Sequence, residues 1–226
     1  MLQRKSERNI SMSQEVEGTH AEPGYSPSYW QQIYELDRTV ATKTILGWLR
    51  SAPGERVLDV GCGAGRFLVE FEKNGSSTVG IEPDIRPLGI AKPRVKGSLI
   101  QSSAVCLPFS DSTFDKVLCN HVIEHVENPD QAFGEIRRVL RTGGTFVLSF
   151  PNSNYLPYRL GVVKQDKTHH WEFSHSLVVP GFEILEKRVF PSLPLIGDGL
   201  LEVLRLSRVP GLRNVFYNVV LLLRKT

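Results

Sequence analysis

The sequence predicts a protein of the α/β class, with helices covering both faces of a mainly parallel sheet. Short apolar runs alternate along the chain with stretches of helical periodicity, which is the pattern of consecutive βαβ units. The apolar runs lack a clean alternation of polar and apolar residues, as expected of strands that are buried on both faces. The chain has 226 residues, which is enough for one such domain with a full core.

The predicted elements begin with a helix over residues 27–50, whose apolar residues recur at helical spacing until a Pro-Gly turn ends it. Seven later runs have the composition and length of strands. They cover residues 57–60, 78–81, 99–101, 116–119, 145–150, 182–190 and 216–223. Two further helices are predicted, over residues 66–73 before an Asn-Gly C-cap and over residues 129–140 before a Gly-Gly pair.

The balance of charge and the spacing of the cysteines narrow the possible partners. The chain has 27 basic and 24 acidic side chains, a net charge of +3, and no dense basic stripe of the kind that nucleic-acid-binding proteins carry. We therefore expect no nucleic acid partner. Cys62, Cys106 and Cys119 are odd in number and widely spaced, which predicts reduced thiols in a cytoplasmic protein.

The two ends of the sequence are less strongly patterned. Residues 1–24 are polar and lack the apolar stretch of a signal peptide, so we expect a disordered leader before a single domain over residues 25–226. Residues 195–206 are rich in aliphatic side chains but too short to span a bilayer. Such a segment is compatible with peripheral membrane contact through an interfacial helix. The sequence leaves the oligomeric state open.

The most informative segment joins the first strand of this series to the helix that follows it. Gly61, Gly63 and Gly65 come after the strand, and glycine permits a sharp turn with close approach of a ligand. A dinucleotide-binding turn has its third glycine three residues after the second, whereas Gly65 follows Gly63 by two. Asp59 precedes the turn and can interact with a ligand ammonium group. Glu82 ends the next strand, where a carboxylate can bind both hydroxyls of a ribose.

These residues lie in motifs that resemble those of the class I S-adenosylmethionine-dependent methyltransferases, in particular the group that acts on small molecules and lipids. LDVGCGAGRF resembles the first motif of the family, VGIEP the second, SSAVCLPFSDSTFDKVLCNHVIEHVENP the third and fourth, and LRTGGTFVLSFPN the fifth strand with its preceding turn. The resemblance is strong over residues 57–152. It implies a Rossmann-like, doubly wound and mostly parallel sheet of about seven strands, with the last strand antiparallel.

The resemblance also implies a site for S-adenosyl-L-methionine. The residues that would form it are Asp59, Gly61, Gly63, Gly65, Glu82, Ser103, Ala104 and Asn120. The glycines would line the methionine portion of the cofactor, Ser103 and Ala104 would flank the adenine, and Asn120 would lie beside the sulfonium. Family members often have an acidic residue at the position of Ser103. This chain lacks that charged partner, although a serine hydroxyl can still accept one hydrogen bond.

Residues 152–180 are predicted to form a substrate cap. Their aromatic side chains, among them Tyr155, Tyr158 and Trp171, either enclose an apolar acceptor or fill a small core under the loop. Family members often place a full helix before a Gly-Phe pair, and residues 174–180 are too few for one. The edge of the sheet is then partly uncovered, or the N-terminal helix or a second chain covers it.

Histidines on two segments are candidates for handling the methyl acceptor. His121 directly follows Asn120 and His170 lies on the predicted cap, so we expect one of the two to orient or deprotonate the acceptor. In an alternative interpretation, Glu124 and His125 only cap and solvate the start of a short helix. No group of His, Cys, Asp and Glu has a recognisable ligand spacing along the chain, so no metal is expected.

The sequence therefore predicts an enzyme that transfers a methyl group from S-adenosylmethionine to a small-molecule or lipid-like acceptor. Methylation of a protein or RNA, and cofactor binding without catalysis, are the alternatives that the motifs leave open. The glycine spacing disfavours a nicotinamide-dependent dehydrogenase. The motifs do not specify whether the acceptor atom is oxygen, nitrogen or carbon.

Overall fold

The structure, a computed structural model, describes residues 3–4, 39–161, 168–190 and 217–226. Its strands are β1 (Gln3–Arg4), β2 (Arg56–Val60), β3 (Ser77–Glu82), β4 (Ser98–Gln101), β5 (Phe114–Asn120), β6 (Leu140–Pro151), β7 (Trp171–Glu172), β8 (Phe182–Phe190) and β9 (Asn218–Lys225). Its α-helices are α1 (Val40–Trp48), α2 (Arg66–Glu72), α3 (Ile85–Ala91), α4 (Pro129–Val139) and α5 (Leu156–Arg159). A single 3₁₀ turn, Ile123–His125, follows β5.

Seven of these strands form one sheet in the order β4-β3-β2-β5-β6-β9-β8. Strands β2 to β6 are parallel to one another, and β9 is antiparallel to both of its neighbours, β6 and β8. The Rossmann-like sheet with an antiparallel last strand is thus confirmed. Strand β2 has β3 on one side and β5 on the other, so the strand order reverses there. In sheets of this kind ligands bind at such a reversal, beyond the carboxyl ends of the strands.

Helices α1 and α2 cover one face of the sheet. Ile45 and Leu49 at the end of α1 pack with Phe67 and Phe71 of α2 against buried residues of the sheet, including Val220 of β9. Gly80 in β3 permits the close approach of α2, because a Cβ there would lie 2.6 Å from the Leu68 side chain. The N-terminal part of the predicted 27–50 helix lies outside the described residues, which resume at residue 39.

Helix α4 and a non-helical segment cover the opposite face. Ile136 of α4 is fully buried, and Leu177 and Val179 join the same core from residues 174–180, which contain no helix. Two apolar side chains therefore cover the sheet where a longer segment would place a helix. Strand β8 is the edge strand on this side, and Leu185 at its bulge is 45% exposed.

The structure differs from the sequence-based expectation at several element boundaries. Helix α3 was not predicted; it is short, contains Pro87, and begins where the Asp84 carboxylate accepts a hydrogen bond from the Arg86 N–H at 2.9 Å. Helix α4 ends at Val139 because Leu140 is already extended and begins β6, four residues before Gly144. The last strand starts at Asn218, and residue 216 lies outside the described part of the chain.

Three further expectations concern the termini and the thiols. Within the predicted leader only Gln3–Arg4 is described, and it pairs antiparallel with β7; the rest of residues 1–24 and all of residues 195–206 lie outside the described residues. In the part of the chain that the structure describes, no helix is long and apolar enough to cross a membrane. The three cysteines are free thiols, as their spacing predicts.

Candidate functional site

The turn after β2 folds back over the end of β3. Gly61, Gly63 and Gly65 have positive φ angles of 72°, 51° and 78°, a region of conformational space that glycine enters without strain. The Gly61 and Cys62 N–H groups both donate to the Ile81 carbonyl oxygen, at 2.8 and 2.9 Å. This sharp turn brings the backbone of the glycine segment beside the carboxyl end of the neighbouring strand.

Asp59 is a buried carboxylate directly before this turn. It is 2% exposed, and its Oδ2 accepts no hydrogen bond among the described residues. Burial raises the pKa of Asp59 to about 8; the Arg66 guanidinium opposes this shift and the Glu82 carboxylate adds to it. A buried anion without a full set of partners is costly, so a cationic ligand group placed here would be stabilised.

Glu82 connects the ends of two strands through its carboxylate. Oε2 accepts the Gly63 N–H at 3.1 Å, and Oε1 accepts the Asp84 N–H at 3.3 Å. Burial raises the pKa of Glu82, and these two hydrogen bonds oppose the shift. The side chain is 9% exposed, so it lies at the boundary between the core and the surface, where it can reach a ligand.

The two residues predicted to flank an adenine lie in the loop after β4 and differ in accessibility. Ser103 is exposed, and its Oγ accepts a hydrogen bond from the Val105 N–H at 3.4 Å. Ala104 is 7% exposed, and its methyl group belongs to the core together with Leu107. Ser103 can therefore offer a side chain to a ligand, whereas Ala104 can offer mainly its backbone.

Asn120 ends β5 and is held by the neighbouring strand β6. The Ser149 hydroxyl donates to Asn120 Oδ1 at 2.6 Å, and the His121 N–H donates to the Ser149 carbonyl at 3.1 Å. His121 has a φ of 55°, which is uncommon for a residue with a Cβ and is often found at functional sites. Ser149 thus fixes the positions of two candidate site residues at once.

An aromatic cluster lies beside His121. The rings of His121 and Tyr217 are stacked with centroids 6.5 Å apart. Tyr217 also makes edge contacts with Tyr155 and Tyr158, at 5.5 and 5.8 Å, and these two tyrosines contact each other at 5.2 Å. The cluster joins the segment before β9 to the predicted cap.

The other aromatics of the predicted cap have structural contacts. Phe173 is 3% exposed and packs against Phe150 with centroids 5.6 Å apart. Trp171 is half-buried and donates from Nε1 to the Glu127 carbonyl at 3.1 Å. Phe173 therefore fills the core under the loop, which was one of the two interpretations of these aromatics.

The remaining histidine candidate, His170, is in a different environment from His121. Its side chain is exposed, and its N–H donates to the Glu124 carbonyl at 2.8 Å. The Glu124 side chain is 1% exposed and its Oε1 lies 3.4 Å from His121 Nδ1. Glu124 is therefore not a solvated residue at the start of a helix, because the 3₁₀ turn directs its carboxylate inward.

Comparison with known proteins identifies the motif-bearing part of the chain. Residues 58–148 match the family model described as a methyltransferase domain. The part of the chain that carries the predicted motifs is therefore similar to a methyltransferase domain.

Relatives with a similar domain are found among both sequences and solved structures. An uncharacterized methyltransferase of Mycobacterium avium is 41% identical over 103 residues, which are 44% of this chain and 41% of that protein. An S-adenosylmethionine-dependent methyltransferase of Mesorhizobium loti superposes with a TM-score of 0.64 at 16% identity, over 84% of this chain and 100% of that one. The cyclase SpnF superposes with a TM-score of 0.60 at 21% identity, over 82% and 79%. At such identities the structural matches show the fold alone.

The matched region is only part of the relatives' length. The match with the M. avium protein covers about two fifths of that protein. The region matched by the family model, residues 58–148, includes the glycine turn, Asp59 and Glu82, which all lie at or near the carboxyl ends of β2 and β3. It does not reach the cap or the segment before β9.

Sequence reasoning missed three side chains that lie around the predicted site. Ser149 is a small polar residue inside an apolar strand run, and that polarity is the signal that would have found it. Tyr217 precedes the last strand, far along the chain from the motifs, and carries no local signal. The sequence is compatible with a solvated Glu124 at the start of a short helix, because no local pattern shows that the turn after β5 directs the side chain inward.

Proposed function

We propose that this protein transfers a methyl group from S-adenosylmethionine to a small-molecule or lipid-like acceptor. The observation that carries the proposal is the buried Asp59, whose Oδ2 has no hydrogen bond, at the end of a strand that runs into a glycine turn. The cofactor has an ammonium group on its methionine portion, which would supply the missing positive charge. The methyltransferase domain makes this cofactor the expected ligand.

The residues of the site fit the cofactor from one end to the other. The glycine turn would line the methionine portion, and Glu82 would bind the ribose hydroxyls. Glu82 already accepts two backbone N–H groups, and each carboxylate oxygen has a second lone pair for a hydroxyl. Ser103 and the backbone of Ala104 would flank the adenine. Asn120, held through Oδ1 by Ser149, would lie beside the sulfonium with its NH₂ group available.

The aromatic cluster supports an acceptor with apolar surface. Tyr217 contacts the rings of Tyr155, Tyr158 and His121, and His121 directly follows Asn120 in the chain. Aromatic walls with a few polar groups are typical of sites for small, partly apolar molecules. A protein or RNA substrate would instead be expected to need an extended polar or basic surface.

Methyl transfer from a sulfonium is an in-line displacement in which the leaving group is already activated by its charge. The acceptor's electron pair forms the new bond to the methyl carbon while the bond between carbon and sulfur breaks. Positioning two reactants in this way can lower the barrier by roughly 7–11 kcal/mol. We assign the positioning of the acceptor to His121, which stacks on Tyr217, and keep the exposed His170 as the alternative.

Cofactor binding without methyl transfer is the second candidate function. The cyclase SpnF has the same fold, so the fold does not by itself establish the reaction. The two candidate functions differ in whether the methyl group leaves the cofactor.

The decisive experiment follows a radioactive methyl group from labelled S-adenosylmethionine into fractions of a cell extract. We expect label in a small-molecule or lipid fraction with the parent protein, and none with Gly63→Val. Label in protein or RNA would replace the proposed acceptor class. Tight cofactor binding with no label in any fraction would support the non-catalytic alternative.

Once an acceptor is known, the two histidines can be separated. His121→Ala should lower turnover while the affinity for the cofactor is retained, and His170→Ala should leave turnover within about twofold. The opposite ranking would assign the positioning role to His170. Parental turnover in both variants would remove histidine from the proposed function.

A further inference from the structure

Three potential metal ligands meet outside the predicted cofactor site. Glu124, His125 and His169 each offer one ligand atom, and these atoms all lie within 4.8 Å of one another. They come from two segments, the 3₁₀ turn after β5 and the chain just before β7. The His170 N–H holds the two segments together by donating to the Glu124 carbonyl at 2.8 Å.

The Glu124 carboxylate is buried in a position where a nearby positive charge would stabilise it. Its residue is 1% exposed, and neither Oε1 nor Oε2 accepts a hydrogen bond among the described residues. His121 Nδ1 lies 3.4 Å from Oε1, but the contact lacks hydrogen-bond geometry. A buried carboxylate is normally stabilised by a cation, by a metal or by several N–H donors.

His125 is oriented in the manner of a metal ligand. Its Nδ1 lies 3.3 Å from the Thr168 carbonyl oxygen and 3.2 Å from the Thr168 hydroxyl. In the tautomer that donates from Nδ1 to this carbonyl, the lone pair is on Nε2 and can bind a metal. Metal-binding histidines usually donate their second ring N–H to such an acceptor. The His169 ring meets the His125 ring edge to face at 4.8 Å between centroids.

A small cavity adjoins the cluster. Glu124 and His169 both line it, together with Ser153, Tyr158, Trp171 and Glu172. A metal held by the three ligands would therefore have an open coordination position on the side of this cavity. Tyr158 also belongs to the aromatic cluster beside His121.

We propose that Glu124, His125 and His169 bind a divalent first-row metal ion of the zinc type, with an open coordination position facing the cavity. Two imidazole nitrogens and one carboxylate oxygen form a ligand set that suits such ions. Ligand atoms around a tetrahedral zinc lie roughly 3.4 Å apart for bonds of about 2.1 Å. Separations within 4.8 Å can close to that value by small side-chain rotations. The proposal departs from the expectation of no metal, which considered spacing along the chain, whereas this cluster forms between distant segments.

The first test measures zinc stoichiometry. Full-length protein is stripped with a chelator, mixed with zinc chloride, desalted and analysed for metal. We expect one tightly bound zinc in the parent and in His170→Gln, and at least a tenfold loss of affinity in His169→Gln and in Glu124→Gln. His170 is the matched control, because it is the exposed histidine next to His169. No bound zinc in the parent, or equal losses in all three variants, would overturn the proposal.

The second test separates loss of a ligand from loss of structure. Because Glu124→Gln removes a buried charge, we expect the variant to melt at or above the temperature of the metal-free parent but to show no further rise with zinc. Cobalt substitution should give the parent a visible absorption band typical of low coordination number, and His169→Gln should lack it. A zinc-induced rise in both variants would exclude this ligand set. The affinity for S-adenosylmethionine is measured in parallel on the metal-free proteins. It should be the same in both variants as in the parent, so the result of the metal test does not depend on the proposed methyl transfer.

Discussion

The two halves of the sheet's carboxyl edge carry side chains of different character. Beyond β2 and β3 lie glycines and two buried carboxylates, Asp59 and Glu82. At the ends of β5 and β6 lie Asn120, His121 and the tyrosine cluster, which contacts His121 through Tyr217. The first half is suited to a charged, polar molecule, and the second to one with apolar surface. A reaction between two such molecules would take place where the halves meet, near Asn120.

The halves also differ in how they are assembled. The first is formed by the ends of adjacent parallel strands and by backbone N–H groups, so its geometry follows from the strand order. The second needs the turn after β5, the predicted cap, and Tyr217 before the last strand. Local sequence can therefore determine the first half, whereas only tertiary packing determines the second. Substitutions that affect one half and spare the other test whether the division is real.

The largest effect should come from Gly63→Val, which places side-chain bulk at the glycine turn where the methionine portion would lie. We expect the affinity for S-adenosylmethionine, measured by calorimetry, to fall by more than about 1000-fold. Gly143→Val is the matched control, because Gly143 also has a positive φ, 73°, and no atom lies within 4 Å of the added Cβ. The control should show a similar backbone strain of about 1–2 kcal/mol with normal binding. Equal losses of affinity would mean that folding, and not the site, is affected.

A smaller loss is expected from Glu82→Ala, which removes the carboxylate proposed to bind the ribose. Hydrogen bonds to a charged acceptor contribute roughly 1.5–3 kcal/mol each, and water replaces part of this, so the affinity should fall about ten- to hundredfold. The cofactor affinity of Glu82→Gln, which retains one acceptor oxygen, should lie between those of Glu82→Ala and the parent. If Glu82→Ala binds the cofactor as tightly as the parent, another residue holds the ribose and the first half has been assigned wrongly.

The contrast between the halves explains how far the sequence alone could lead. The parallel strands, their order of appearance and the glycine turn follow from apolar runs and from residues adjacent in sequence, and the structure has them at nearly the predicted positions. The helix α3 escaped prediction because a proline and a short length hide its periodicity. The residues of the second half could not be grouped in advance. Tyr217, Tyr155 and His121 are brought together only when β9 inserts antiparallel beside β6, and no local pattern specifies that pairing.

Asp59→Asn should combine a moderate loss of affinity with a gain in stability. Losing the carboxylate that faces the ammonium group should weaken cofactor binding about tenfold. In the cofactor-free protein, burial raises the pKa of Asp59 to about 8 from 3.8. Because the folded state holds this proton more tightly than the unfolded state, Asp59 favours folding most below about pH 4, and that contribution is lost as the pH rises through 8.

The Asn side chain does not titrate, so the stability difference between Asp59→Asn and the parent should widen between about pH 4 and pH 8 and become constant above pH 8. The increase should be at most about 1.4 kcal/mol per pH unit. Chemical denaturation at a series of pH values measures it. A constant difference over this range would show that Asp59 is already ionised in the folded protein, and that a partner within the chain satisfies it.

The smallest effect on cofactor affinity is expected from Tyr217→Leu. This variant is also the clearest test of the division of the sheet's carboxyl edge into two halves. Tyr217 contacts His121, Tyr155 and Tyr158, and each aromatic pair contributes about 0.5–1.5 kcal/mol. We therefore expect a moderate loss of stability and a turnover several-fold lower with the acceptor, while cofactor affinity stays within about twofold of the parent.

The matched control for Tyr217→Leu is Phe109→Leu. Phe109 makes an edge contact with Phe114, with ring centroids 4.9 Å apart, and neither ring belongs to the tyrosine cluster. It should lower stability in the same way but leave turnover per folded molecule unchanged. If Tyr217→Leu instead lowers the affinity for the cofactor as much as Glu82→Ala does, the tyrosines belong to the cofactor site. The acceptor would then have to bind elsewhere, and the boundary between the two halves would move from Asn120 toward β9. If the two leucine variants behave alike in every measurement, the cluster stabilises the fold only, and the apolar character assigned to the acceptor loses its support.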